Sequence, residues 1–350
     1  MTSAGKLKSH SFEWLFSIVL LLLVGCGDAA APWNLAGSTM GTTWRVAAVP
    51  GEHTSVTEEA LQVEIEAVLE AVNASMSTYR ADSEVSRFNA APVGEWFEVS
   101  SDFYLVLSSA MAISWQSNGA YDLTVGPLVN LWGFGPGDRT DEPPSSEAID
   151  AVMAQVGQDK LRVDGEIYSV LKQAELYLDF SSIAKGFAVD ELARVLAGAG
   201  FENYLVEIGG EMRVAGQSPR GDAWRIAIEK PEAVPGGIAQ AFALEDEAVA
   251  TSGDYRNFFE ADGVRYSHTI DPRTGEPVAH ELVSVTVVHP SCMMADAWAT
   301  ALTVLGAEEA RIVAEAAGLA VYFIQREGDG YSESYTDAFA PYLQRTDAAN

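Results

Sequence analysis

Cysteine is nearly absent: 350 residues contain two, Cys26 and Cys292, and histidine occurs five times. No Cys/His cluster has zinc-ligand spacing, so neither a structural zinc nor a disulfide-built scaffold is expected. Basic residues are also scarce, 21 against 50 acidic ones, for a net charge of −29. Such a surface repels nucleic acid and favours solubility. The chain lacks a Walker A loop, a G-x-S-x-G elbow and an H-E-x-x-H pair. "GFGPG" at 133–137 is glycine-rich but does not join a strand to a helix, as a dinucleotide fingerprint must. What stays open is a hard cation held by oxygens. If the substrate carries phosphate, a divalent cation would offset the local repulsion.

The N-terminus reads as an export segment. Lys6 and Lys8 precede the apolar run "WLFSIVLLLLVG", which is short against the ~20 residues of a membrane span. Residues 1–25 are read as a signal peptide, and "LVGC" resembles a bacterial lipobox. That resemblance makes Cys26 a lipidated first residue and leaves Cys292 without a disulfide partner. An ordinary export signal and an anchor helix are the alternatives. The expected location is the bacterial cell envelope, lipid-anchored and facing the periplasm or exterior; stable attachment needs more than one acyl chain. Residues 26–38 are read as a tether and 39–345 as one domain.

Periodicity places a first strand over 43–49. A helix follows at 57–77, its apolar face Leu61, Ile65, Val68, Leu69 and Val72. Further helices are expected at 100–119, 145–157, 182–200, 293–306 and 310–318. Strands are expected around the Asp164–Gly165 turn up to Phe180, over 203–216, 224–231, 264–270 and 282–290, and in a closing hairpin at 320–336. Strands in runs, interrupted by helices, predict an α+β fold. The expectation is one compact domain of mixed, largely antiparallel sheets with packed helices.

Four stretches could carry chemistry. "LDFSSIAKGFAVD" places Asp179 at a strand end, Ser181 or Ser182 at a helix cap and Lys185 in the first turn, against the dipole. A nearby anion would explain that placement, although a capped surface helix accounts for it equally. In "ADAWATAL", Asp296 and Thr300 share one helix face and could hold Mg²⁺; an Asp that only complements the dipole is the blander reading. Tyr79, Tyr121, Trp132 and Phe134 lie in loop-like stretches, suited to stacking on a flat ring or to packing. In "HTIDPRTG", His268 is a candidate base or a packed strand residue sharing a face with Val264, Tyr266 and Ile270; Asp271 to Gly275 is turn chemistry.

Eight stretches occur in an ordered set: "TMGTTW", "MSTYRADSEVSRFN", "YDLTVGPLVNLWGFGP", "LDFSSIAKGFAVD", "VEIGGEMRVAG", "ATSGDYRNFF", "SHTIDPRTG" and "ADAWATALTVLG". In this order they resemble the ApbE family, the FAD:protein FMN transferases, from about residue 38 to about residue 340. The resemblance implies Mg²⁺-dependent cleavage of FAD, phosphoester transfer of FMN to a threonine of a target protein, and release of AMP. Implied targets are membrane redox-complex subunits of the NADH:quinone reductase or Rnf type. Carried over, FAD would meet Met40, Tyr79, Ala120, Tyr121, Asp122, Asp179, Lys185 and Ile270. The metal would sit on the Ser182 carbonyl, Asp296 and Thr300, with the Ala299 carbonyl a further candidate. His268 is the expected base, Asp271 the alternative, and Lys185 assists with charge. A metal-dependent FAD pyrophosphatase and a non-catalytic FAD-binding lipoprotein are the competing readings.

Overall fold

The structure is a computed structural model and describes residues 31–135, 142–231, 237–253 and 257–347. The signal segment and Cys26 lie outside the described residues. The chain runs β1 (Trp33–Thr39), β2 (Thr42–Val49), α1 (Glu58–Met76), α2 (Glu84–Ala90), β3 (Trp96–Glu98), α3 (Ser101–Gln116), α4 (Gly126–Leu131) and α5 (Ser146–Met153). Next come β4 (Leu161–Asp164), β5 (Ser169–Lys172), α6 (Ala184–Gly198), β6 (Asn203–Ile208), β7 (Glu211–Ala215), β8 (Trp224–Glu229), β9 (Ile238–Leu244) and β10 (Ala248–Gly253). The remainder is β11 (Phe258–Ala261), β12 (Val264–Ser267), β13 (Leu282–His289), α7 (Cys292–Ala316), β14 (Ala320–Glu327), β15 (Gly330–Tyr335) and α8 (Ala340–Asp347).

An eight-stranded sheet in the order β1-β2-β6-β7-β10-β13-β14-β15 organises the molecule, and all its pairings are antiparallel. Alternation along the strands divides the core. Val46, Val206, Ala248, Ala250, Val285 and Val287 pack with helical residues such as Leu61, Phe187 and Trp298. Val214, Val249, Val288 and Tyr322 point the other way, onto Trp224, Ile226 and Phe242 of the β8–β9 hairpin. Burial on both faces explains why β13, "LVSVTVVH", is rich in valine and buried at every position before His289.

Three expectations change. Residues 33–38, read as tether, form most of β1, an edge strand paired along its whole length with β2. Asp179 does not end a strand, because β5 stops at Lys172 and an extended loop follows. Neither Ser181 nor Ser182 caps α6: the cap position is Ile183, with no side-chain bond. The two helices expected at 293–306 and 310–318 are both present within α7, parted at Gly306 (φ 72°), where the His280 ring fills the space a Cβ would need. No helix among the described residues is long and apolar enough to cross a membrane.

Candidate active site

The site begins where α6 and α7 touch. Gly186 lets them meet, since a Cβ there would lie 2.4 Å from the Cys292 carbonyl oxygen. Asp190 of α6 then holds the start of α7: its carboxylate accepts from Ser291 Oγ (2.7 Å), Cys292 N (3.0 Å), Met293 N (3.0 Å) and Arg213 Nη1 (2.6 Å). One turn inside α7, Asp296 reaches back and accepts from the Gly186 amide at 3.0 Å. In a regular helix that amide would bond to the carbonyl four residues earlier, which is Ser182. Among the described residues the Ser182 carbonyl accepts no backbone hydrogen bond.

Lys185 projects into the same space. Its Nζ lies 3.1 Å from Glu211 Oε1 and 3.6 Å from Asp296 Oδ2. Burial pulls its pKa down, but the Asp296 and Glu211 carboxylates outweigh that and hold it above the ordinary lysine value. The cation placed against the helix dipole is therefore balanced by two carboxylates of the chain itself. Glu211 is 5% exposed. Burial raises its pKa and Asp296 adds to the rise, while Lys185 opposes it; the outcome is about 7. Its Oε2 is buried without a hydrogen-bond partner among the described residues.

These groups form the back of a cleft of about 370 Å³. Tyr79, Ala120, Tyr121, Asp122, Asp179, Ser182, Lys185, His268, Ile270, Asp296 and Thr300 all line it. Met40 and Asp271 do not. Met40 takes a left-handed conformation (φ 49°) in the β1–β2 turn and packs against the main core. Asp271 is engaged by Arg273, with Nη2–Oδ2 at 2.8 Å and Nε–Oδ1 at 2.9 Å.

The lining residues divide by role. Tyr79 is 72% exposed at the rim, a free face for a flat ring. Tyr121 is buried, bonded through its hydroxyl to Ser182 Oγ at 2.9 Å, and burial raises its pKa. Asp122 is occupied locally: Oδ1 accepts from Thr124 N and Oγ1, and Oδ2 from Gln158 N. Burial raises its pKa, and those bonds oppose the rise. Asp179 accepts from Ser181 N at 2.8 Å, while its own amide donates to the Leu123 carbonyl, tying the two loops together. Trp132 is a packing residue, stacked on Tyr266 and donating from Nε1 to the Gly275 carbonyl at 2.9 Å. Phe134 does line the cleft, edge-on to His268.

His268 sits one residue beyond β12. Its Nδ1 is 3.0 Å from the Asn257 carbonyl oxygen. A carbonyl only accepts, so Nδ1 carries a hydrogen, and in the neutral ring Nε2 is the acceptor nitrogen. Sequence reasoning missed Glu211, Thr251, Ser252, Gly253 and Pro272, which also line the cleft. For Glu211 a faint signal existed: an isolated acid after "GG" at the start of a strand. Its pairing with Lys185 depends on the fold.

No group of three or more His, Cys, Asp or Glu suited to a metal occurs among the described residues. The oxygens that fit a hard cation are of other kinds: the Ser182 carbonyl released by Asp296, the Asp296 carboxylate, and the Thr300 hydroxyl one turn further along α7.

A cleft with an aromatic rim and a charged, partly buried back wall, beside a histidine of fixed tautomer, defines an enzyme-type small-molecule site. The model of the ApbE family matches residues 40–323, and the chain belongs to that family. The FAD:protein FMN transferase of Vibrio cholerae serotype O1 is 48% identical over 336 residues, covering 95% of this chain and 99% of that protein. Among solved structures, the flavin transferase ApbE from Vibrio cholerae superposes with a TM-score of 0.84 at 46% identity, covering 90% of this chain and 100% of that one. The apo flavinyl transferase ApbE of Pseudomonas stutzeri gives 0.82 at 43% identity, covering 89% and 96%.

Proposed function

We propose that this protein is a FAD:protein FMN transferase that moves FMN from FAD to a threonine of an acceptor protein and releases AMP. The observation that carries this is convergence: residues scattered from Tyr79 to Thr300, selected for flavin, phosphate and cation chemistry, line one cleft around Lys185. The names of the relatives support the same reading.

The chemistry follows from the side chains. The isoalloxazine ring stacks at the Tyr79 rim. Lys185 lies where the pyrophosphate enters and supplies positive charge that the acidic chain otherwise lacks. The acceptor hydroxyl oxygen forms a bond to the FMN phosphorus, and the bond from that phosphorus to the bridging oxygen breaks. AMP departs with that oxygen and its electron pair. The hydroxyl proton passes to His268 Nε2, which its Nδ1 contact with Asn257 leaves as the acceptor nitrogen. Asp271, held by Arg273 and outside the cleft lining, is the weaker candidate for that role.

Ser182, Asp296 and Thr300 would hold a Mg²⁺ ion. When bound, Mg²⁺ supplies charge neutralisation at the pyrophosphate. The anchoring of Cys26 in an envelope membrane and an acceptor of the NADH:quinone reductase or Rnf type belong to the same proposal. They rest on the "LVGC" segment and on the motif set.

The test uses the protein from residue 27 onward with FAD, Mg²⁺ and an acceptor domain, followed by mass spectrometry and in-gel flavin fluorescence. A threonine adduct that EDTA abolishes is the expected result. AMP and free FMN without adduct would replace the reading by a pyrophosphatase, and bound FAD with no product by a carrier. His268→Ala is expected to slow transfer about 10²–10⁴-fold with FAD affinity retained; an unchanged rate removes the base assignment.

A further inference from the structure

The main sheet has a notch where its strands end at unequal heights. β7 begins at Glu211, after the Gly209–Gly210 turn, and pairs with β10 only at Arg213–Ala248 and Met212–Val249. β10 continues to Gly253, held on its other side by β13 as far as Ser284. The Val214 amide donates to the Glu247 carbonyl at 3.0 Å. Residues of a strand turn their N–H and C=O to alternate sides. Hence Glu247, Val249, Thr251 and Gly253 face β7, and Ala248, Ala250 and Ser252 face β13. Thr251 and Gly253 therefore present two donors and two acceptors to a space that β7 does not reach. Among the described residues nothing bonds to these backbone groups there. The Thr251 side chain is separately engaged, Oγ1 to Thr286 Oγ1 at 2.9 Å.

Two cavities meet at this edge. One is the cleft of Lys185 and Asp296. The other, about 440 Å³, lies between the sheet and β8, bounded by Thr42, Gly209, Gly210, Ile226 and Ala227. Thr251 and Gly253 line both. The turn beside the notch is Gly209–Gly210, and at Gly210 (φ 110°) a Cβ would meet nothing within 4 Å, so another backbone can come close. An open strand edge is a template for a further strand. This one is about four residues long, some 13 Å at the rise of a strand, and it leads into the reaction cleft.

We propose that the acceptor polypeptide binds as an extended segment, pairing with the backbone of Thr251 and Gly253 in the groove between the Gly209–Gly210 turn and β8. That pairing delivers its hydroxyl to the cleft. The inference rests on the transfer reading, which requires a polypeptide acceptor, and it identifies what the enzyme recognises first: backbone in the β conformation.

The test uses fluorescent peptides drawn from around the acceptor threonine of an NADH:quinone reductase or Rnf-type subunit, each N-methylated at one backbone position. Binding to the FAD-loaded protein is read by anisotropy, and FMN transfer by mass spectrometry. Methylation at every second position is expected to weaken binding about five- to tenfold, with the intervening positions nearly silent. Ala227→Trp, an exposed position of β8 in the groove, is expected to weaken peptide binding about tenfold and leave FAD binding unchanged. Effects without alternation, or a silent Ala227→Trp, overturn the proposal. Peptide that binds with alternation yet receives no FMN keeps the edge pairing and overturns the transfer reading. Transfer without alternation does the reverse, and neither binding nor transfer removes both.

Discussion

Glu211 shows what burial does to one carboxyl beside a lysine. One oxygen faces Lys185 and the other has no hydrogen-bond partner among the described residues, so ionisation is opposed by lost hydration and helped by the Lys185 cation. Burial, with Asp296 adding, sets the pKa at about 7 against an ordinary 4.5. The folded protein therefore retains this proton where the unfolded chain has released it. Its contribution to stability is full below pH 4.5 and is lost as pH rises to about 7. Glu211→Gln cannot ionise and lacks that slope. In protein free of metal and FAD, urea unfolding across this window should show the variant gaining on the wild type as pH rises, by at most about 3 kcal/mol. Parallel curves would mean that Glu211 is ionised throughout as a plain partner of Lys185. The sequence did not single out this residue. The second Glu of "EIGGEMRV" has the same pattern whether it faces solvent or a lysine, and only the sheet brings β7 beneath α6.

At the scale of elements, the sequence was most informative where the signal is local. α1, α3 and α6 are long amphipathic helices, and Thr57 and Ser100 supply caps at two of them. β9 and β10 were not read as strands, because "IAQAFAL" and "AVATSG" owe their conformation to neighbours rather than to alternation. α2 is too short for a period to show. The break at Gly306 was legible as the glycine that ends the expected 293–306 helix, but the His280 ring that packs there, its Nε2 2.8 Å from the Thr303 carbonyl, was not. Of the expected site residues, those from Tyr79 to Lys185 and His268, Ile270, Asp296 and Thr300 converge in the cleft, while Met40 of "TMGTTW" and Asp271 of "SHTIDPRTG" stay at turns outside its lining. The element that matters most is α7, since it carries Asp296 and Thr300. Asp190 satisfies two of its opening amides and the Ser291 hydroxyl, and Arg213 offsets its charge. Asp190→Ala should cost about 2–4 kcal/mol in urea unfolding, from lost bonds to a charged group and newly orphaned amides. Transfer should fall as well, because the helix start sets the direction of Asp296. Unfolding curves that coincide with the wild type would show that Ser291 alone caps α7.

The whole molecule carries a net charge of −29, yet the reaction requires it to admit FAD, whose pyrophosphate is anionic. At low ionic strength the summed field acts far from the surface, with a Debye length of roughly 30 Å at 0.01 M salt against about 8 Å at 0.15 M. Like charges are then pressed together within the fold, and an anionic substrate is repelled before it meets Lys185. Added NaCl screens both effects. Thermal stability should accordingly rise by a few degrees between about 0.01 and 0.5 M NaCl. The association rate of FAD, read by quenching of its fluorescence, should rise over the same range. A cleft governed by a basic surface would show the opposite slope. The Lys185–Glu211–Asp296 group is mostly buried and its contacts are short, so salt acts on the approach to the site and much less on the contacts within it. Sucrose at matched osmolality separates screening from solvent exclusion. If sucrose raises stability and NaCl does not, or if FAD association slows with NaCl, the acidic surface does not govern folding or substrate entry, and the local charge at Lys185 sets the field that FAD meets.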